Sequence, residues 1–306
     1  MMTLVFEQAL NGVQLGVLLF LLAAGLTLVF GIMNFVNLAH GSLYMVGAYF
    51  AATFIPWSGS FIVGALLALA ATAAVGMALE VLIFRRLYHR DHMDQVLATF
   101  GLILFFNELV LMVWGPAGLS IAVPSWLVGQ VNIIPGVPYP AYRLAVLVTG
   151  LAAAAFLYVL VSRTRTGMRI RAGASDQQMA QALGVDIKLL FTGIVGLGAA
   201  LAALAGLLAA PLRSVYAGMG EDILVLAFVV VVIGGIGSIR GAFVAALGVG
   251  LIDTVGRAFL PRVLDALLSD QIADAVAPAL STTLIYLTMV VVLAIRPRGL
   301  FPAPGQ

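Results

Sequence analysis

Hydrophobic and polar positions along this chain fall into long apolar runs separated by short polar joints, and this alternation continues from end to end. Because about 20 apolar residues are needed to cross a hydrocarbon core about 30 Å thick, each run predicts a membrane-spanning helix. The predicted spans are 9–30, 41–56, 60–84, 94–114, 141–162, 189–210, 222–238, 241–260 and 279–295. The expected fold is an all-α polytopic membrane protein with about eight or nine transmembrane helices in a single domain, 1–306.

A polar interruption separates the first two spans, within the stretch GLTLVFGIMNFVNLAHGSLYMVGAY, residues 25–49. Its polar and small positions include Asn34, Asn37, His40 and Gly41. Non-helical backbone at membrane depth is tolerated only where protein or a water-filled cavity covers it. Two interpretations follow. These residues line or gate a route for a solute, or they cap broken helix ends and let neighbouring helices approach closely.

A second interruption, GGIGSIRGAF at 234–243, repeats the pattern near the end of the chain, with Gly235, Gly237 and Gly241. In both interruptions an apolar run ends in glycine and a glycine opens the next span. Counting crossings gives the two segments the same orientation, as in a parallel pseudo-repeat. Paired glycine-interrupted segments indicate a substrate route, so all seven residues are candidates for a translocation pathway or gate. Close helix packing is again the alternative.

Charge divides the polar joints into two groups. Arginines concentrate in 85–92, 163–188 and 296–298, whereas 115–140 has no charged residue and 261–278 carries three aspartates against one arginine. Because cytoplasmic loops are enriched in Lys and Arg, the basic joints are predicted to be cytoplasmic and the other two external. This order places the N-terminus outside.

The external loop 115–140 is too long to be a minimal turn, and loops of this length are often functional. It contains two short runs, LSIAV at 119–123 and QVNII at 130–134. These runs are predicted to pair as a β-hairpin.

Composition excludes several classes of protein. Hydrophobic residues make up 63% and charged residues 9% of the 306 residues, which is far from a soluble globular protein. With no cysteine, the chain has no disulfide, thiolate metal site or cysteine nucleophile. A phosphate-binding loop of the G-x-x-x-x-G-K-[ST] kind requires a lysine, and Lys188 lies in GVDIKLL instead. Any ATP hydrolysis must therefore come from another polypeptide, and no catalytic or metal-binding residues are predicted.

Ionisable residues inside the predicted spans are few, and such residues are costly and often functional. Asp253 and Arg257 are four residues apart, the favourable order for an ion pair on one helix face. Glu80 lies about one turn from Arg85 and is interpreted as an interfacial charge. Glu108, beside Asn107, has no evident partner. These two are possible buried polar residues, with either a functional role or a structural hydrogen bond to another helix.

The joint at 163–188 contains a short predicted helix, 176–183. Ser175 followed by Gln178 has the form of a capping box, in which the two side chains satisfy backbone donors at the start of a helix. Gly184 suits the left-handed residue just past a helix end. A helix of this length is unstable alone in water, so it needs a surface on which to pack.

Met179, Ala182 and Leu183 form an apolar stripe along one side of this helix. Two interpretations are open. The helix is a lid packed on the protein's own inner surface, or it offers the stripe to a partner subunit.

Four segments together resemble a known family. They are the stretch at 25–49 quoted above, TRTGMRIRAGASDQQMAQALGVDI in the joint, VVIGGIGSIRGAFVAALGVGLID, and the ending AIRPRGLFP. In this order and spacing they resemble the LivH-type permease subunits of branched-chain amino acid ABC transporters, over about 9–302. The resemblance implies a multi-pass permease of the bacterial inner membrane that passes a small solute, most often a branched-chain or other amino acid, into the cytoplasm.

The resemblance also implies partners. In this family a coupling helix docks on a separate ATPase subunit, and that role would fall on Ser175 to Gly184, with Gln178, Met179, Ala182 and Leu183 between them. The expected partners are a second, related permease subunit, two cytoplasmic ATPase subunits, a periplasmic substrate-binding protein and membrane lipid, without nucleic acid. ATP and Mg would be bound by the partner subunits, and no cofactor by this chain. The loop 115–140 and residues 213–222 are expected to help dock the binding protein.

A second function class stays open at this point. An autonomous channel or secondary carrier for a small polar solute such as urea or an amide would also have many spans and few charges. It would have no need for a capped short helix on a basic cytoplasmic joint, and this feature favours the ABC permease.

Overall fold

The computed structural model of the protein describes residues 2–134, 137–264 and 270–301. Its helices are α1 (Met2–Met33), α2 (His40–Ser58), α3 (Phe61–Leu79), α4 (Arg85–Leu87), α5 (His92–Trp114), α6 (Ala141–Arg163), α7 (Arg165–Ser175), α8 (Gln177–Ala182), α9 (Ile187–Ala209), α10 (Met219–Gly234), α11 (Ile239–Leu264) and α12 (Asp270–Ile295). A π-helical turn, Glu80–Phe84, joins α3 to α4, and Ser125–Leu127 forms a 3-10 turn. Two strands, β1 (Gln130–Ile134) and β2 (Val137–Pro140), complete the described secondary structure.

The prediction of an all-α polytopic membrane protein is confirmed, and each predicted span coincides with one long helix. Six described helices or helical segments are long and apolar enough to cross a membrane, and Ala279–Ile295 is a shorter apolar helix. The two spans predicted to be shortest correspond to α2 and α10, with 19 and 16 residues, and neither belongs to those six. The number of complete crossings is therefore approximate.

The first helix, α1, lies at the centre of the fold. Its residues 16–29 are all buried, as expected for a helix that is apolar on every side. It packs against α9, α10 and α11, whereas α3, α5 and α6 each expose one apolar face. The exposed faces are suited to lipid or to another membrane subunit.

Small residues set the spacing between the central helices. A Cβ atom on Gly16 of α1 would lie 2.8 Å from the backbone oxygen of Ala246 in α11. A Cβ on Gly47 of α2 would likewise collide with Ala203 of α9. In a membrane, helices associate through close van der Waals contact rather than through the hydrophobic effect, and these glycines allow that contact.

The loop 115–140 folds differently from the predicted hairpin. The run at 130–134 pairs antiparallel with 137–140, and Leu119 exchanges backbone hydrogen bonds of 2.9 and 2.8 Å with Val215. The predicted pairing of 119–123 with 130–134 is therefore wrong. Instead, the loop is attached to the segment that precedes α10.

The basic joints meet at one end of the molecule. Tyr88, after α4, packs edge to face on Phe191 near the start of α9, with ring centroids 5.4 Å apart. Gln177 of α8 donates to the backbone oxygen of Ile32, at the end of α1. The loop 115–140 lies at the opposite end. Of the acidic residues predicted to be external, Asp265 is outside the described residues, and Asp270 and Asp274 are described only through the helical backbone of α12.

Reporter fusions test the predicted orientation. Fusions at Arg90 and Gly173 should report a cytoplasmic position, and one at Gly129 an external position, because the first two lie in the basic joints and the third in the uncharged loop. Phosphatase and fluorescent-protein fusions in whole cells measure this directly. A cytoplasmic result at Gly129 would contradict the orientation.

Candidate functional site

The short helix α8 is present, but its start differs from the prediction. Ser175 is the last residue of α7, and the N-cap of α8 is Asp176, whose Oδ1 accepts from the backbone N–H of Met179 at 2.9 Å. The capping-box assignment to Ser175 and Gln178 is therefore wrong. The physical reason is that α7 continues as helix through Ser175, so the first residue with extended backbone is Asp176.

The end of α8 agrees with the prediction. Gly184 has a positive φ of 84°, the left-handed conformation that glycine adopts without steric cost. The N–H of Val185 donates back to the oxygen of Ala180 at 3.1 Å, which satisfies a carbonyl at the helix end. The helix is held at both ends although it has only six residues.

The apolar stripe of α8 faces away from the rest of the chain. Met179 is 58% exposed and Leu183 is 78% exposed, and Ala182 is also exposed. The helix is fixed to the protein by Ala180, which is 3% exposed, and by the bond from Gln177 to Ile32. Within the part of the chain that the structure describes, nothing covers the stripe, and this geometry favours a partner subunit over a lid.

A buried carboxylate lies between the transmembrane helices and the start of α9. Glu80 is fully buried and accepts hydrogen bonds from Arg85 at 2.8 and 3.2 Å, from Tyr88 at 3.1 Å and from Thr192 at 2.5 Å. The proximity of Glu80 to Arg85 is confirmed, and the carboxylate is covered by protein rather than exposed. Glu80 is the first residue of the π-helical turn, a feature that is frequent at functional sites. Its hydrogen bond with Thr192 connects the end of α3 to α9.

The first interruption is covered by the protein's own side chains. Asn34 ends α1 with a positive φ of 48°, and its N–H donates to Phe30 at 2.9 Å. The N–H of Val36 donates to the side-chain oxygen of Gln95 in α5 at 3.2 Å. Phe35, which is fully buried, packs against the rings of two aromatic residues near the end of α3 and α4.

Asn37 and His40 lie deeper in the fold. Both are buried, and among the described residues neither polar atom of the Asn37 amide has a hydrogen-bond partner, nor does Nε2 of His40. A Cβ on Gly25 of α1 would lie 2.8 Å from that Nε2, and Gly198 of α9 adjoins the same ring. Because Gly198 is the central residue of α9, α2 begins level with the middle of that helix rather than with its end.

Gly41 brings the first turn of α2 against the first turn of α10. A Cβ atom on Gly41 would overlap the backbone oxygen of Gly220, and a Cβ on Gly220 would overlap that of Gly41. The two helices therefore touch backbone to backbone at their N-terminal ends.

Replacing Gly41 by alanine tests this contact. The added methyl group should force α2 and α10 apart, and overpacking of this kind costs about 1–3 kcal/mol. The purified Gly41→Ala permease should unfold at a lower temperature than the wild type. Gly101→Ala in α5 is the matched control, because a Cβ there meets no atom within 4 Å. Equal stability of the two variants would show that the α2–α10 contact is not tight.

The second interruption is closely packed near the end of the molecule that carries the basic joints. A Cβ on Gly31 of α1 would lie 2.5 Å from Cα of Gly237, so the two interruptions touch. Gly241 packs on Gly234, and Gly235 lies against the C-terminal segment, where Phe301 donates to the oxygen of Gly234 at 3.0 Å. The seven candidate pathway residues thus form two groups. On α1, Gly25 contacts His40 of the first group and Gly31 contacts Gly237 of the second. These two glycines are about 9 Å apart along the helix, since a helix rises 1.5 Å per residue.

Asn107 and Glu108 differ in their surroundings. Asn107 is half-buried and donates to Oε1 of Glu221 in α10 at 2.5 Å, which is the structural hydrogen bond considered for this pair. Glu108 is exposed, so its assignment as a buried polar residue is wrong. The buried stripe of α5 passes through Phe106 and Val110, and Glu108 lies off that stripe.

Sequence reasoning missed a polar cavity of about 680 Å³ at the end of the molecule that carries the loop 115–140. It lies between α1, α6, α10 and α11. Its charged lining residues are Arg143, Arg213, Asp222, Asp253 and Arg257. They come from four separate segments, so no local motif reveals them. The one sequence signal was the Asp253–Arg257 pair, which is confirmed at 2.8 Å.

Hydrogen bonds fix the polar lining of this cavity. Tyr216 donates to Oδ2 of Asp222 at 2.6 Å, and this bond raises the pKa of Tyr216. Arg143 and Tyr139 both donate to Oδ1 of Asn11, at 2.5 and 3.1 Å. The cavity is therefore a preformed polar chamber.

Broken spans, a cavity with charged lining at one end and an exposed short helix at the other suit a transport protein of the permease class. Residues 8–293 match the family described as branched-chain amino acid transport system permease component, and the chain belongs to this family. This result confirms the LivH-type resemblance, and an autonomous channel or carrier is not favoured.

Relatives with this name cover nearly the whole chain. It is 29% identical over 315 residues to the high-affinity branched-chain amino acid transport system permease protein LivH of Escherichia coli (strain K12), covering 97% of this chain and 96% of that protein. It is 30% identical over 312 residues to BraD of Pseudomonas aeruginosa, which has the same description, with the same coverage. A probable LivH of Methanocaldococcus jannaschii is 28% identical over 256 residues, covering 78% and 76%. No solved structure matches the chain. The protein is thus a multi-pass permease subunit of the kind found in the bacterial inner membrane.

Proposed function

We propose that this permease passes branched-chain or other amino acids from a periplasmic binding protein to the cytoplasm, driven by separate ATPase subunits. The relatives named for branched-chain amino acid transport support the substrate class. The observation that carries the ATP-driven mechanism is α8, a helix capped at both ends that presents exposed Met179 and Leu183.

The expected assembly follows from this proposal. Two cytoplasmic ATPase subunits bind ATP and Mg, a second, related permease completes the membrane part, and lipid covers the remaining apolar faces. The chain itself binds no cofactor, acts as no enzyme and contacts no nucleic acid. Its single lysine, outside any phosphate-binding loop, supports the assignment of ATP hydrolysis to a partner. The loop 115–140, attached to Val215 through Leu119, is the proposed docking surface for the binding protein.

Movement of the ATPase would reach the membrane through two connections. Gln177 joins α8 to the end of α1. Thr192, in the first turns of α9, bonds to Glu80, the first residue of the π-helical turn that follows α3. A displacement of α8 therefore acts on α1, α3 and α9 together.

Within the membrane, Asn37, His40 and Gly41 are the proposed residues of the route. The buried polar side-chain atoms of Asn37 and His40 keep unused hydrogen-bonding capacity among the described residues, which suits a polar solute. Asn34 supports this group by ending α1. The second group, Gly235, Gly237 and Gly241, would act as the tight joint about which α10 and α11 move.

Transport by the purified complex in proteoliposomes tests the proposal. Uptake of radiolabelled L-leucine should require the binding protein outside and ATP at the ATPase face, and orthovanadate should stop it. Uptake that proceeds down a gradient without ATP or binding protein would support an autonomous carrier instead. The ligand that co-purifies with the binding protein would then define the solute.

A further inference from the structure

The charges in the external cavity are only partly neutralised by one another. Asp253 pairs with Arg257 at 2.8 Å, and Arg143 is engaged by the neutral amide of Asn11. Among the residues that the structure describes, Arg213 and Asp222 form no ion pair with each other or with another residue. Within the described part of the chain, the charges of Arg143, Arg213 and Asp222 are therefore unmatched by an opposite charge. Of the two guanidinium groups, that of Arg143 is held by Asn11, which leaves the guanidinium of Arg213 available to a ligand.

Arg213 and Asp222 come before and after Tyr216 along the chain, and all three residues line the cavity. Asp222 accepts a hydrogen bond from the Tyr216 hydroxyl at 2.6 Å. The backbones of both charged residues are fixed, since the N–H of Arg213 donates to the carbonyl of Ala209 at 3.0 Å and Asp222 lies in the first turn of α10. One cavity lining therefore carries a positive and a negative group that form no ion pair with each other.

The deeper part of the cavity is apolar. Leu15 and Leu18 of α1 line it together with Ile223 and Leu226 of α10. A volume of about 680 Å³ lies within the range of small-molecule sites. A ligand that fits would carry adjacent charges of opposite sign and a small apolar group.

We propose that this cavity binds the zwitterionic head of an α-amino acid, with Arg213 on its carboxylate, Asp222 on its ammonium group and its side chain toward Leu18 and Leu226. The inference rests on the proposed function and adds a site within this chain. Hydrogen bonds between charged groups are the stronger ones. An analogue that lacks the carboxylate or the ammonium leaves one charge of the site unmatched and binds less tightly.

Site-directed labelling measures binding in the intact complex. The chain has no cysteine, so Ser214→Cys at the cavity lining gives a single thiol. In nanodiscs, L-leucine should slow labelling of this thiol by a methanethiosulfonate reagent. Leucinamide lacks the carboxylate and 4-methylpentanoate lacks the ammonium. To slow labelling to the same extent, each should require at least about tenfold higher concentration than L-leucine.

Two neutralising variants assign the charges. Arg213→Gln should lose the preference for L-leucine over leucinamide, whereas Arg213→Lys should keep it. Asp222→Asn should lose the preference for L-leucine over 4-methylpentanoate. Arg165→Gln and Asp94→Asn, at exposed positions near the opposite end, are controls that should bind as the parent does. Monodisperse elution of each variant shows that it is folded.

The outcomes separate the inference from the proposed function. If the complex takes up L-leucine but leucine gives no protection, or the two variants keep both preferences, the cavity site is wrong and the importer stands. If ATP-driven uptake of every amino acid fails although the complex is assembled, the proposed function is wrong and the amino acid site fails with it.

Discussion

Leu183→Asp should leave the permease in the membrane but separate it from its ATPase subunits. Leu183 is 78% exposed at the end of α8, so the free permease tolerates a carboxylate there. In the complex that carboxylate would be desolvated without a partner, at a cost of several kcal/mol. Each 1.4 kcal/mol is tenfold in affinity, so association should weaken by at least about a hundredfold.

Co-purification in mild detergent and uptake by cells measure this effect. Leu183→Met is the matched control, since it keeps volume and polarity and should retain both association and uptake. A second control, Leu189→Asp, introduces the same charge at another exposed position near the start of α9. If Leu183→Asp recovers its ATPases at the usual yield, α8 is not the docking element.

Glu80→Ala should destabilise the permease itself. The change leaves the guanidinium of Arg85 and the hydroxyls of Tyr88 and Thr192 without their common acceptor. Removing one partner of a buried ion pair costs about 3–5 kcal/mol, and we expect the lower end because the side chain of Arg85 is 33% exposed. The thermal unfolding midpoint in detergent should fall by at least about 5 °C.

Two further variants separate the contributions in this cluster. Glu80→Gln keeps an acceptor but removes the charge, so its midpoint should lie between those of the wild type and Glu80→Ala. Glu108→Ala removes an exposed carboxylate from α5 and should change the midpoint little. A Glu80→Ala protein as stable as Glu108→Ala would show that the cluster does not stabilise the link between α3 and α9.

The features that the sequence predicted correctly depend on local chemistry. Span positions follow from the length of apolar runs, and these agree with the helices. The end of α8 was also predictable, because a glycine after a helical pattern is a strong sign of a left-handed residue. The start of α8 was not. Ser175 and Asp176 are both good N-caps, and only the extent of α7 decides between them.

The features that were missed depend on distant parts of the chain. Arg85 was the expected neighbour of Glu80, whereas a further hydrogen-bond donor, Thr192, lies 112 residues away in the sequence. Likewise 119–123 does not pair with 130–134, because Val215 is the partner of Leu119. The cavity charges also meet only through tertiary structure. A single sequence predicts how far along its span a residue lies, but not which neighbouring helix its side chain faces.

The break in α1 changes the partners of two backbone groups. In an unbroken helix the N–H of Val36 would donate to the carbonyl of Ile32, four residues earlier. Here the N–H of Val36 donates to Gln95 and the carbonyl of Ile32 accepts from Gln177. One internal bond is thereby exchanged for two external ones, to α5 and to α8. The end of the central helix becomes a junction through which α8 is attached directly to the innermost part of the membrane domain.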